Sequence, residues 1–317
     1  LVRVTLPPQS VGDGETLKLQ VIDGFIESID LDGVPARARR SVRRHLEPLI
    51  GQRKLRVDTV ERLVTLAGRA PGVRLRSALD AGDQLGGVRL ILDGDHQLFS
   101  SGYSTNNRLS EGLGKWDHTF RLTFDQLLGR GEQLYTYLSG GSDFFDALTL
   151  KGERRIVGGG ITLPIGADGF SLNLEYTRSI TSPEPVAIWV PRLESRFERY
   201  SLRLSYPLIL SRRQALTLTT ALEAMDQQDS FPDFFGFVLS EDRLRVLRLS
   251  ADWTLPVANG ALAWNTTLSQ GIDAFGARGE VDVSESGIGF SRPGAAPNFV
   301  KLDTTLVYDL PLPRGFG

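Results

Sequence analysis

The 317-residue sequence has no cysteine, so neither disulfide staples nor thiolate metal sites are open to it. It has no run of about 18 apolar residues, which excludes a helical membrane span. An excess of either charge is also missing. With 36 Lys+Arg against 38 Asp+Glu, the formal net charge of −2 argues against nucleic-acid binding. His45, His96 and His118 are scattered, with no i,i+4 pair and no clustered carboxylates, so no metal site is expected. There is no Gly-x-Ser-x-Gly elbow. Gly158-Gly159-Gly160 is not followed by Gly-Lys-Ser/Thr and is no phosphate loop; small residues there suit close packing or a kink in a strand. Asp93-Gly94-Asp95-His96 reads as a turn and domain linker rather than a calcium loop. No catalytic residue and no cofactor are expected. No basic and apolar leader opens the sequence at Leu1, so any signal peptide is expected upstream.

What is present, from about residue 98 onward, is a repeated unit of roughly ten residues alternating apolar and polar, then a turn rich in Gly, Pro, Asp or Asn. Tyr200, Leu202, Leu204 and Tyr206 interleave with Arg199, Ser201, Arg203 and Ser205. Leu172, Leu174 and Tyr176 alternate with Ser171, Asn173 and Glu175, and Leu247, Leu249, Ala251 and Trp253 with Arg248, Ser250 and Asp252. Ten segments follow this rule, near 96–103, 116–126, 132–140, 152–163, 169–181, 196–207, 213–225, 243–256, 260–271 and 298–310. Tight connections (163–169, 207–213, 256–260) contrast with long polar ones (182–194, 227–242, 272–298). Strand length, aromatic ends and this asymmetry fit transmembrane barrel strands, which alternate lipid-facing with lumen-facing residues. A water-soluble β protein with one wet face is the alternative, and it predicts folding without detergent. A mean hydropathy of −0.12 fits strands that are only half apolar. Trp116, Trp189, Trp253 and Trp264 read as interface anchors or loop packing.

The first 95 residues read differently. Gly24 to Leu31 is a short strand, and Pro35 opens a helix, Ala36 to Leu49, in which Val42, Leu46 and Leu49 share a face. A second helix, Leu55 to Ala67, places Val57, Val60, Leu63, Val64 and Leu66 at helical spacing. Strands Val73 to Leu79 and Gly86 to Leu92 follow, giving a β-α-α-β-β order.

Residues 20–92 resemble a POTRA domain. The pieces LPPQSVGDGETLKLQVIDGFIESI, APGVRLRSALDAGDQLGGVRLIL and SRPGAAPNFVKLDTTL are similar to the TpsB transporters of two-partner secretion, the haemolysin activation/secretion branch of the Omp85 superfamily. The resemblance implies a mainly β fold. Residues 1–18 would be the tail of a preceding POTRA domain, 19–93 a POTRA domain in the periplasm, and 94–317 the N-terminal part of an antiparallel barrel in the outer membrane. Ten of the family's sixteen strands are legible, so the chain is expected to be truncated at both ends. Arg314-Gly315-Phe316 is similar to the family's Val-Arg-Gly-aromatic loop motif, but Pro313 precedes it and it comes too early in strand count, so it reads as a turn.

The resemblance also implies a mechanism without a catalytic residue. The partner would be an unfolded, TpsA-like secreted protein, handled by a monomeric transporter seated in outer-membrane lipid. The client is expected to add through main-chain hydrogen bonds to the edge strand at Val73, Leu75, Ser77 and Leu79, beside the first helix with Arg37, Arg39, Arg40, Arg43 and Arg44, of which Arg39 and Arg43 would make contact. Those arginines read either as electrostatic capture or as a solvated helix face. Arg121, Glu175, Arg199, Arg203, Glu223, Arg248 and Asp252 are expected to point into the barrel and form a wet, mixed-charge wall, or merely to pair across strands. An insertase of the same superfamily and a passive porin-like barrel are the alternative functions.

Overall fold

The computed structural model describes residues 2–9 and 16–311. At its start β1 (Val2–Thr5) pairs antiparallel with β2 (Gln20–Asp23) as a separate ribbon. A small unit follows: β3 (Phe25–Gly33), α1 (Ala36–Leu46) with a 3-10 turn at Glu47–Leu49, α2 (Val57–Gly68), β4 (Val73–Ala81) and β5 (Gly87–His96). Its sheet has the order β3-β5-β4, with β3 parallel and β4 antiparallel to β5. The β-α-α-β-β order is thus present. Val42, Leu46 and Leu49 are fully buried, as helical spacing requires of a shared face, and pack with Ile26, Val34, Leu90 and Leu92 into one core. In α2, Leu63 and Leu66 join that core, while Val57, expected on the same face, is 70% exposed. Asp93 to His96 form neither turn nor linker. They are the end of β5, paired with Val73 to Arg76, and Gly94 lies so close to β4 that a Cβ there would meet the Arg74 carbonyl at 2.2 Å.

The rest of the chain forms a ten-stranded antiparallel meander: β6 (Phe99–Asn106), β7 (Asp117–Asp125), β8 (Gln133–Gly141), β9 (Arg154–Ile165), β10 (Phe170–Thr181), β11 (Glu194–Leu210), β12 (Ala215–Phe231), β13 (Phe237–Val257), β14 (Gly260–Gly271) and β15 (Val300–Asp309). All ten expected strands are there. Three are longer than the alternation suggested: β11 and β12 have 17 residues and β13 has 21. The expected loop 227–242 is therefore mostly ladder, because Asp226 to Asp229 pair with Ser240 to Arg243 despite their polar side chains. A strand needs about 9 to 11 residues to cross a bilayer, so these hairpins continue beyond one. Pro207 falls inside β11 at a register shift, where a missing N–H is tolerated.

Two helices were not legible as such. α3 (Phe144–Thr149) begins at Asp143, whose carboxylate accepts from the Asp146 N–H at 2.8 Å. It sets Phe144 against Tyr103 and Phe120, with ring centroids 5.7 and 5.2 Å away. α4 (Glu280–Ser286) lies in the expected loop 272–298. Among the described residues, no helix is long and apolar enough to cross a membrane. Arg314-Gly315-Phe316 lies outside the described residues.

The sheet has an apolar and a polar face. Leu174, Leu202, Leu222, Leu249, Leu268 and Leu302 belong to the first and are all exposed. An uncovered apolar face that runs across so many strands is far larger than the patches a monomer shows to water. The Phe170–Tyr206 and Tyr176–Tyr200 ring pairs bracket it on β10 and β11, with centroids 4.9 Å apart in each. Six residues of strand separate the pairs, roughly 20 Å along the chain.

Candidate functional site

On the polar face, five of the seven residues expected to line the wall meet in one network. Glu175 accepts from Tyr135 Oη at 2.7 Å, from Arg199 at 2.5 Å and from Arg203 at 3.1 Å. Arg203 reaches on to Glu223 at 3.9 Å, and Glu223 accepts from Arg248 Nε at 2.9 Å. Arg248 also donates to Ser269 at 2.8 Å. The two carboxylates are the most enclosed of its charged members, with side chains 10% and 7% exposed, and three guanidiniums surround them. Arg121 joins less directly, 5.5 Å from the centroid of the Tyr135 ring. Asp252 stands apart and accepts from Asn265. The network spans β8 to β14, so the register of seven strands fixes it together.

The triple glycine is explained by this face. Tyr135 and Tyr137 lie across β9 to reach Glu175 and Thr177 on β10, and the Tyr137–Thr177 hydroxyl pair is 2.7 Å apart. A Cβ at Gly158 would meet the Tyr137 ring at 2.4 Å, and one at Gly160 the Tyr135 hydroxyl at 2.7 Å. Glycine at both positions lets the rings lie flat against the wall.

The N-terminal unit docks on three turns at one end of the sheet. In the β7–β8 turn, Gln126 is fully buried, accepts from Ser41 at 2.6 Å and donates to the Pro71 carbonyl at 2.8 Å. Arg37 and Arg44 donate to the Leu127 and Arg130 carbonyls at 2.6 and 3.0 Å. In the β9–β10 turn, His45 Nδ1 is 2.6 Å from the Ala167 carbonyl, and Asp168 accepts from Arg62 at 3.1 Å and from Tyr206 at 2.6 Å. In the β11–β12 turn, the Arg212 N–H donates to Glu61 at 2.6 Å. Burial lowers the His45 imidazole from its ordinary value; its bond to the Ala167 carbonyl opposes this, and neighbouring Arg44 adds to it. Burial pushes the Asp168 carboxyl up, but hydrogen bonds from Tyr206 and Arg62 outweigh it and hold the group below the carboxylate range. Sequence reading missed this junction. The available signal was that Ser41 and His45 fall on the buried stripe of α1 with Ala38, Val42 and Leu46.

Val73, Leu75, Ser77 and Leu79 lie on β4, which among the described residues has β5 as its single neighbour in the sheet. Arg39 and Arg43 are not beside it. The helix that flanks β4 is α2, and α1 sits over β3 instead. Arg39 donates to the Val34 and Asp32 carbonyls of its own loop, at 2.7 and 3.0 Å, and Arg43 is exposed. Between α2 and β4 runs a groove of about 310 Å³ lined by Val57, Val60, Val64, Leu79 and Leu90, with Glu61 and Arg212 at its rim. The exposed Val57 belongs to this groove. Among the described residues, no cluster of His, Cys, Asp or Glu could hold a metal ion.

An uncovered apolar face, aromatic pairs at its borders and an internally paired polar face define the wall of an outer-membrane β-barrel. The model of the haemolysin secretion/activation protein family ShlB/FhaC/HecB matches residues 90–316. The chain belongs to this family, the TpsB branch of the Omp85 superfamily. In fold it is similar to CdiB from Escherichia coli (TM-score 0.76, 18% identity, 99% of this chain and 56% of that one). It is also similar to CdiB from Acinetobacter baumannii (TM-score 0.60, 13% identity, 85% and 49%). The chain thus spans about half the length of these solved structures. No curated protein matches the sequence significantly.

Proposed function

We propose that the chain is the recognition unit and part of the barrel wall of an outer-membrane transporter that takes up an unfolded, TpsA-like secreted protein in the periplasm and passes it through the barrel. Residues 24–96 act as the POTRA domain, on the periplasmic side. The observation that carries the reading is the single-neighbour strand β4 beside the apolar α2 groove. An extended chain adds to β4 by main-chain hydrogen bonds and sets alternate side chains into the groove. This moves the client's side-chain contacts from Arg39 and Arg43 to Val57, Val60 and Leu79. On the inner wall, Glu175, Arg199, Arg203, Glu223 and Arg248 are already paired, so a sliding chain meets a wet surface with little net charge to hold it.

The test is export of the client encoded beside this gene in cells carrying the full-length protein with Val60→Asp or Leu79→Asp. Val60 is only partly buried and Leu79 is exposed, so both variants should fold and reach the outer membrane. Export falling by tenfold or more at unchanged membrane level supports the reading. Unchanged export with both variants removes client capture from this groove.

A further inference from the structure

On the apolar face of β10 to β13, two adjoining cavities remain that client transport does not use. The first is a trough of about 910 Å³. Leu174, Leu202 and Leu222 form its floor, and the Tyr176–Tyr200 pair stands at its upper end. Glu175, Ser201 and Glu223 border it along the strands, but Leu174, Leu202 and Leu222, and next to them Tyr176, Tyr200 and Ala224, stand in register on the opposite, apolar face, and that alternation places the trough on the lipid side. Phe275, from the loop after β14, overhangs it, because Arg245 Nε on β13 donates to the Phe275 carbonyl at 3.0 Å.

The second cavity, about 520 Å³, lies just beyond the tyrosines and shares Arg245 and the same loop, here at Gly276. It is lined by Arg178, Arg196 and Arg243 and by Glu198, Asp226, Glu241 and Asp242, with Gln227 and Gln228. Each guanidinium has one carboxylate partner: Arg178 with Glu198 at 3.5 Å, Arg196 with Glu194 at 2.6 Å, Arg243 with Glu241 at 2.6 Å and Arg245 with Asp226 at 2.7 Å. The side chains of Arg178, Arg196 and Arg243 stay 48%, 56% and 51% exposed, with donors to spare. Four cations and four anions line the space, so it is no sink for a bare phosphate. Alternating strong donors and acceptors instead suit hydroxyl groups, each of which donates and accepts. An apolar trough that opens past an aromatic pair into such a cavity has the shape and polarity of an amphiphile standing at a membrane interface.

We infer that these cavities bind a glycolipid of the outer leaflet, its acyl chains in the trough and its saccharide headgroup among Arg178, Arg196, Arg243, Glu198 and Asp226. The inference rests on the transporter reading only in that the end of the barrel opposite the N-terminal unit faces outward. The site is a lipid anchor that fixes the long β11–β13 hairpins relative to the membrane surface.

The test is native mass spectrometry of the full-length protein in detergent, with diphosphoryl lipid A and phosphatidylglycerol as competing probes. Wild type should retain lipid A in preference to phosphatidylglycerol. The combined variant Arg178→Gln, Arg196→Gln, Arg243→Gln should lower lipid A retention at least tenfold and leave phosphatidylglycerol unchanged. Arg245 is kept because it anchors the loop. A second variant, Ala224→Trp, fills the trough and should have the same effect. Equal retention of both lipids by wild type, or undiminished lipid A on both variants, overturns the site. The cysteine-free chain also allows Phe275→Cys to be labelled on intact cells. Labelling with no lipid preference overturns the glycolipid site alone, whereas absence of labelling overturns the outward orientation on which both readings rest.

Discussion

In the N-terminal unit, Ile26, Val42, Leu46, Leu49 and Leu92 have no exposed surface, whereas in the ten-stranded wall Ser269, Ser201, Glu223 and Thr177 are buried alongside a few apolar residues such as Val246 and Ala221. The same chain buries mainly apolar side chains in one region and a large share of polar ones in the other. The unit packs around an enclosed apolar core and gains stability by removing hydrocarbon from water. The wall has lipid outside and water inside, so its leucines stay on the surface and its polar groups must find partners across strands. A substitution should therefore have opposite consequences in the two regions.

The largest effect is expected from Leu46→Ala, which empties a fully enclosed site in the unit and should cost about 2–5 kcal/mol. Limited proteolysis should then cut residues 24–96 while the barrel stays resistant; equal resistance of both would erase the contrast. On the wall, Leu202→Ala should hardly matter, but Leu202→Arg puts a charge on the lipid face at a cost of about 2–4 kcal/mol near the midplane. Folding yield into lipid vesicles, read by heat-modifiable mobility on gels, measures it. Next comes Glu223→Ala, which strips the main partner from Arg248 and one from Arg203 and should cost about 1–3 kcal/mol. Its denaturant midpoint should drop while its spectrum stays that of a β protein. Gly158→Ala should shift the Tyr137 ring off Thr177 and weaken the β8–β10 wall by a smaller amount, visible as faster hydrogen exchange of those strands.

The smallest effect concerns the seam between the regions. With its folded value held below 6.5, His45 binds a proton in the unfolded state at a pH where the docked state stays neutral. Its contribution is therefore whole above about pH 6.5 and is lost as pH falls through the lower folded value. Protease sensitivity of the junction should rise between pH 7 and pH 5 in wild type. The rise should flatten in His45→Gln; an unchanged pH profile in that variant would show that His45 does not couple the two regions.

Much of this architecture was legible residue by residue. All ten strands of the wall, the β-α-α-β-β order and the shared face of Val42, Leu46 and Leu49 follow from periodicity, which is local. That Glu175, Arg199, Arg203, Glu223 and Arg248 share the polar face was legible too, since facing direction is fixed by alternation. That Glu175 and Glu223 are bridged by Arg203 was not, because the partners come from three strands whose register no local signal sets. The arginines of α1 misled for a related reason. Five cations on one helix read as a solvated or client-facing surface, yet Arg37 and Arg44 hold turns more than 80 residues away. The polar ends of β11 to β13 read as loop because nothing apolar marks strands that leave the lipid.

The sequence by itself determined which residues form strands and helices and which face of each strand is apolar, because backbone sterics and side-chain alternation act over a few residues. Tertiary structure alone decided that β4 stands at the edge of its sheet beside α2, that His45 and Gln126 seal a junction, and that Arg178, Arg196, Arg243 and Arg245 gather above one apolar trough. Each of these is a meeting of segments distant in the chain, settled by sheet order and register, and only the folded whole specifies those.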